Sequence, residues 1–134
     1  PIPFGAPSIE TLVPLIFSEG VIKRKFPIWW MSRMLSENPA RIFGLYPQKG
    51  IIQPGSDADL LIIDPDTTSI IKAKDHQSTT GYTPYEDWEI KGKPWMTLLR
   101  GNVLLNEGKL EQNPGVGNFI HASSPTPPIS GISH

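Results

Sequence analysis

Cysteine is absent from the 134 residues. That excludes disulfides, thiolate metal sites and a cysteine nucleophile together. It also fits a reducing compartment, so a cytoplasmic location is the expectation. Excess charge of either sign is absent too: 12 Lys and Arg stand against 13 Asp and Glu, a formal net charge of −1. Neither nucleic acid nor an anionic membrane surface therefore has electrostatic support as a partner. No apolar run approaches the roughly 20 residues that span a bilayer, no secretory signal opens the chain, and no internal repeat is visible. Histidine is scarce. His76, His121 and His134 have no pair spaced to present two imidazoles to one metal ion.

Proline and glycine, by contrast, are plentiful, at 15 and 12 residues, so many turns and short elements are expected. The length suits one domain with a modest core. The chain opens in mid-phrase on Pro1, which leads to the expectation that it is part of a longer one. Residues 1–7 read as loop. Ser8 can cap a helix whose first turn carries Glu10, with Leu12, Leu15, Ile16 and Glu19 at helical spacing and Gly20 as its stop. Pro14 either kinks that helix or opens one capped by Thr11. A second helix starts at Pro27 with Ile28, Met31, Met34 and Leu35 as its buried stripe. Asn38-Pro39 reads as a cap and first-turn proline of a third, closed by Gly44.

The character then changes. A short strand in "KGII", a Pro-Gly turn and a strand buried on both faces at Leu60–Ile63 are expected, the last ending at Asp64-Pro65. Residues 68–73 read as another strand. A long polar loop covers 74–95, followed by strands at Met96–Leu99 and Asn102–Asn106, and Lys109-Leu110 after a turn. The Gly-, Pro- and Ser-rich stretch from Asn113 reads as a disordered tail.

Asp57, Asp59 and Asp64 cluster around the Leu60–Ile63 run. A carboxylate metal site would need more converging ligands, and no histidine lies within ten residues. The favoured reading is structural: Asp57 accepts turn N–H bonds, Asp59 anchors the strand start and Asp64 begins an Asp-Pro turn. No nucleophile elbow surrounds Ser8, Ser18, Ser32 or Ser36, and no phosphate-binding glycine loop opens a helix. Trp29 and Trp30 adjoin on one helix and cannot share a face; with Trp88 and Trp95 they suggest a covering partner. Read this way, the residues describe an α+β piece without a complete catalytic set.

The succession "GAPSIETLVPLIFSEGV" (5–21), "ENPARIFGLYPQKGIIQPGSDADLLIIDP" (37–65) and "YTPYEDWEIKGKPWMTLLRGNVLLNEGKL" (82–110) resembles the C-terminal end of the cyclic amidohydrolases. These are dihydropyrimidinases and hydantoinases, with allantoinases and dihydroorotases as cousins. The resemblance covers about residues 2–120. It implies a (β/α)8 barrel, a TIM barrel, joined to a small β-sandwich. Residues 1–45 would be the last barrel loop and terminal helices, 46–112 the C-terminal sandwich strands with the long loop at 74–95, and 113–134 a tail. It further implies hydrolysis of cyclic amides by a hydroxide bridging two divalent metal ions, typically zinc. The implied ligands are a His-x-His pair, a carboxylated lysine and two further histidines, with a proton-shuttling aspartate beside them. None has a counterpart in this chain, so no catalytic or metal residue is assigned, and the chain alone is expected to be inactive.

One implied feature falls within the sequence. The loop before the first helix carries, in hydantoinase-like members, an Asn-Gly whose backbone holds the substrate's ring amide. Here that place reads Phe4-Gly5, so Phe4 and Gly5 are the candidate substrate-binding residues, with Phe4 as mere packing under the barrel rim an equal alternative. The aromatic before glycine is closer to allantoinases, the helix phrase closer to hydantoinases. The implied partners are the remainder of the barrel, further copies in a homo-oligomer and a cyclic amide. The competing function is a non-catalytic assembly or binding protein that keeps the fold without the metal ligands.

Overall fold

The structure is a computed structural model that describes residues 5–111 and 115–127. Two helical stretches come first, and a four-stranded sheet follows. The fold class is α+β. By compactness the chain forms two units. One combines the described residues up to Phe26 with Ile63–Pro94; the other combines Pro27–Ile62 with the described residues from Trp95 onward.

Helix α1 (Ile9–Leu15) runs without a break into wider turns over Ile16–Lys23. Ser8 stands at the N-cap, but through its backbone: its carbonyl accepts the N–H groups of Thr11 and Leu12 at 3.2 and 2.9 Å, and its side chain caps nothing. Pro14 sits inside the helix, buried, with no N–H for the carbonyl of Glu10 four residues earlier. The wide turns begin two residues after it, at Ile16. Gly20 is not the stop. The stretch runs on to Lys23 and closes where Lys25 takes φ +61 and the Phe26 N–H returns to the Gly20 carbonyl at 3.1 Å. The backbone at position 20 lies close to the Phe26 ring: a Cβ there would stand 3.3 Å from it.

Helix α2 (Ile28–Ser32) passes through wide turns at Arg33–Glu37 into α3 (Asn38–Ile42). The expected cap at Asn38 is absent because Asn38 is itself helical and Glu37 stands at the cap position. The expected stripe holds at Met31, which is buried, but Ile28 is exposed. Gly44, at φ +68, does close α3. The N–H of Leu45 reaches the Ala40 carbonyl at 2.7 Å and that of Gly44 reaches Arg41 at 3.3 Å, the paired bonds of a left-handed helix terminus.

Strand β1 (Leu60–Ile70) is longer than expected and continues through Asp64-Pro65. The sheet order is β1-β2-β3-β4, which leaves β1 at an edge. An edge strand tolerates proline because one side of it has no ladder to lose. The expectation of burial on both faces fails: Leu61 and Ile62 keep 42% and 40% of their exposure. No strand forms at residues 50–52.

Strand β2 (Glu89–Leu99) absorbs the end of the expected 74–95 loop, including Gly92 and Pro94. β3 (Asn102–Asn106) pairs antiparallel with β2 only from Met96 to Leu99, with a bulge between Thr97 and Leu98, so Pro94 lies outside that ladder. β4 (Lys109–Leu110) pairs antiparallel with β3. In the first unit Phe17, Ile71 and Ile90 are buried together with Thr11, Thr83 and Ser18. The Ser18 hydroxyl accepts the Lys91 N–H at 3.0 Å, and the Phe17 ring lies against Gly92.

The tail departs from the expectation of disorder over its described part. Ser123 places both its N–H and its hydroxyl on the Gly44 carbonyl at 2.7 Å, and the Thr126 N–H reaches the Arg41 carbonyl at 3.0 Å. Carbonyls at a helix end lack intrahelical donors, and this strap supplies them.

Alanine at Gly92 (φ +93) would put its Cβ 2.2 Å from the Phe17 ring. Gly92→Ala is expected to lower the free energy of unfolding by about 3 kcal/mol through overpacking plus backbone strain. Gly101→Ala, at φ +79 in open space, should cost only about 1 kcal/mol. Urea unfolding of the two variants checks the difference.

Candidate functional site

Two clusters carry the residues singled out above. The first surrounds Gly5, at the start of the described chain. Gly5 has φ +82 with nothing within 4 Å of where a Cβ would stand. Its conformation, not its surroundings, calls for glycine. Its carbonyl accepts the Tyr82 hydroxyl at 2.7 Å, across 77 positions of sequence. Phe4 lies outside the described residues.

Tyr82 belongs to the loop between β1 and β2. Its stem is closed by backbone bonds from the Ile71 N–H to the Trp88 carbonyl and from the Asp87 N–H to the Ile71 carbonyl, at 2.9 and 3.0 Å. Lys72 pairs with Asp87 and stands 3.7 Å from Glu86, and the other Glu86 oxygen accepts the Ala73 N–H at 2.8 Å. Those carboxylates hold the Lys72 ammonium above its ordinary pKa, with the Asp87 hydrogen bond the largest cause. Beyond a short 3-10 turn (Ala73–Asp75), both oxygens of Glu10 accept backbone N–H groups, Gln77 at 2.9 Å and Ser78 at 3.0 Å. Glu10 in the first turn of α1 and Tyr82 in the loop thus fasten the same two segments from opposite ends. His76 lies in this loop, half-buried, with its N–H on the Ala73 carbonyl.

The second cluster contains two of the three aspartates. Lys49 reaches Asp57 at 2.7 Å and also pairs with Asp59. Asp57 further accepts the Gln48 side-chain amide at 3.1 Å, so its expected turn N–H bonds are replaced by side-chain donors. Asp59 accepts the Arg100 N–H at 2.8 Å and anchors the start of β1, as expected. The Lys49 hydrogen bond leads in holding the Asp57 carboxyl below the usual range. For Lys49, burial works against the charge, but the hydrogen bonds and charges of the two aspartates outweigh it and its pKa is raised. Asp64 stands apart. It accepts the Asp66 N–H at 3.0 Å and the Thr67 hydroxyl at 2.5 Å, a local side-chain turn, and the Thr67 bond leads in lowering its pKa.

Among the described residues no three His, Asp or Glu side chains gather to hold a metal ion. The neighbouring carboxylates Asp57 and Asp59 share the Lys49 ammonium, which a dication would have to displace. These residues do not fit a two-metal centre. His121 is exposed and stacks edge-on with Phe119 at 5.0 Å; His134 lies outside the described residues. Among those residues no helix is long and apolar enough to cross a membrane.

Helices, sheet and clamped loop form an α+β segment. A profile of the amidohydrolase family matches residues 16–104, and the chain belongs to that family. It is 37% identical over 116 residues, 87% of its length, to an L-hydantoinase of Paenarthrobacter aurescens. With a D-hydantoinase of Geobacillus stearothermophilus it shares 37% over 119 residues, 89% of its length. Among solved structures, the D-hydantoinase (dihydropyrimidinase) of Thermus sp. superposes with a TM-score of 0.83 at 36% identity, covering 87% of this chain and 26% of that one. The chain spans about a quarter of the length of the curated relatives it matches.

Tyr82 and Glu10 escaped the sequence reading as partners of the Gly5 segment. Glu10 was legible only as a favourable first-turn charge, and Tyr82 carried no signal, because nothing local ties it to a residue 77 positions away.

The folded pKa of Asp57 lies below its unfolded value. Its contribution to stability is therefore complete above about pH 4, the ordinary carboxylate range, and is lost as pH falls through the lower folded value. Asp57→Asn should flatten the acid limb of a stability-against-pH curve measured by urea unfolding from about pH 5 downward, where the unfolded carboxyl begins to take up its proton.

Proposed function

We propose that this chain is the C-terminal portion of a metal-dependent hydrolase acting on the carbon–nitrogen bonds of cyclic amides, of the hydantoinase and dihydropyrimidinase type. The observation that carries the reading is the match to hydantoinases along nearly the whole chain but over only a quarter of their length. Residues 1–45 would form the last loop and terminal helices of a (β/α)8 barrel. Residues 46–112 would form the C-terminal strands of a β-sandwich, with a loop that closes at Trp88, and 113–134 a tail. The remainder of the barrel is the partner, and it supplies the ligands for two divalent metal ions, typically zinc. The exposed edge strand β1 supports this reading, since Leu61 and Ile62 are exposed on adjacent, opposite-facing positions and a larger protein would cover them. A homo-oligomer fits the exposed Trp88 at the loop stem. The cytoplasm suits the cysteine-free composition.

Within that enzyme Gly5 and Phe4 form part of the substrate loop. Backbone groups there would hold the ring amide whatever side chain precedes the glycine.

The 134-residue chain alone, with added zinc, should hydrolyse neither dihydrouracil, hydantoin nor allantoin above a metal-only blank. The full-length amidohydrolase that carries it should hydrolyse at least one of the three. A full-length protein inactive on all of them, and devoid of bound metal, would instead be a binding or assembly protein on the same fold.

A further inference from the structure

We infer that Tyr82 and Glu10 are positioning residues for substrate binding at Gly5, and that the β1–β2 loop is the brace that sets the Gly5 peptide. The inference rests on the function proposed above. Gly5 is exposed, and its Cβ position is open. Packing therefore does not hold this residue, and its φ of +82 is one that glycine samples freely alongside others. A substrate contact made by backbone needs the peptide fixed in one orientation, because misplacement by about an ångström loses most of a directed interaction.

The Tyr82 hydroxyl supplies the fixing contact by donating to the Gly5 carbonyl at 2.7 Å. With that carbonyl engaged, the planar peptide joining Gly5 to Ala6 has a set orientation, and its N–H, on Ala6 and trans to the carbonyl, is the group that a ring-amide oxygen would meet. Tyr82 can do this only if its own loop is held, and three contacts hold it. Glu10 takes the Gln77 and Ser78 N–H groups with its two oxygens. The Thr80 hydroxyl lies 3.4 Å from the Tyr82 carbonyl and 3.0 Å from the Ser78 hydroxyl. Thr83, just beyond, is buried and carries the Tyr85 N–H on its hydroxyl at 3.3 Å. Glu10 lies five residues after Gly5 on the same chain, so its two bonds and the tyrosine bond close a ring through residues 5–10 and 77–82.

The chemistry predicts a binding effect. A contact to the ring amide that persists from bound substrate to transition state changes KM and leaves kcat nearly constant. In the full-length, metal-loaded amidohydrolase, Tyr82→Phe keeps the ring and deletes the donor. KM for the cyclic amide that the wild type hydrolyses best should rise about three- to tenfold, the worth of one hydrogen bond, with kcat within about twofold. Amide hydrogen exchange over residues 5–8 should quicken in the same variant. Glu10→Gln retains one of the two acceptor oxygens and should raise KM about two- to fivefold. The double variant should show less than the product of the two effects, because both hold one segment. Tyr46→Phe, whose ring lies under the Arg41 guanidinium at 3.7 Å, serves as the control and should leave KM unchanged.

An active wild type whose KM and residue 5–8 exchange are both untouched by Tyr82→Phe overturns the inference while leaving the proposed function standing. So does a variant that loses kcat and urea stability together at constant KM, which marks a merely structural bond. A wild type inactive on hydantoin, dihydrouracil and allantoin removes the function and the inference with it.

Discussion

A backbone N–H or C=O crowded away from water must find a partner, and this chain, with 15 prolines and 12 glycines, can provide few of them by regular ladders. Distant groups supply further partners, most of them at the surface. The Ser18 hydroxyl takes the Lys91 N–H, Glu10 takes Gln77 and Ser78, Asp59 takes Arg100, and Glu86 takes Ala73. At the end of α3 the tail turns its own N–H groups onto the Arg41 and Gly44 carbonyls. Each such bond joins segments that are far apart in sequence. These bonds tie distant segments together within each unit.

The acidic residues serve the same end. Asp57 and Asp59 flank the start of β1 and converge on Lys49, while Asp59 also receives the Arg100 backbone. An ammonium between two carboxylates neutralises them without a metal, and it fixes the 46–59 segment to the beginning of the strand. Exposed ion pairs contribute little individually. What this group adds is register, because the Gly101 N–H bond to the Ala58 carbonyl at 3.0 Å lies beside it.

The apolar surface describes the other half of the molecule's situation. Among the described residues the buried hydrophobic side chains include Phe17, Ile71 and Ile90 in one unit and Met31 and Ala40 in the other, whereas Ile9, Ile52 and Phe119 are almost fully exposed. A protein whose core is this small against so much open apolar surface has faces suited to a partner. Membership of a family whose matched relatives are about four times longer agrees with that balance.

Local features were legible wherever one or two residues decide the backbone. Gly44 as a helix terminus, Pro27 before α2, Asp59 at the start of β1 and the antiparallel strands near Asn102 and Lys109 all rest on short-range conformational preferences. The family, too, could be read from the order of three phrases, because phrases keep their residues when a scaffold is reused. Other features were decided only in three dimensions. β1 runs through Asp64-Pro65 because it lies at a sheet edge, and β2 runs through Gly92 because Phe17 needs the space. Part of the tail is ordered because its N–H groups reach the Arg41 and Gly44 carbonyls. The Gly5 peptide is aimed by a tyrosine 77 residues on. Sequence spacing carries the preferences of neighbours along the chain; hydrogen-bond partners and free volume depend on what folding brings alongside, and no local pattern encodes that.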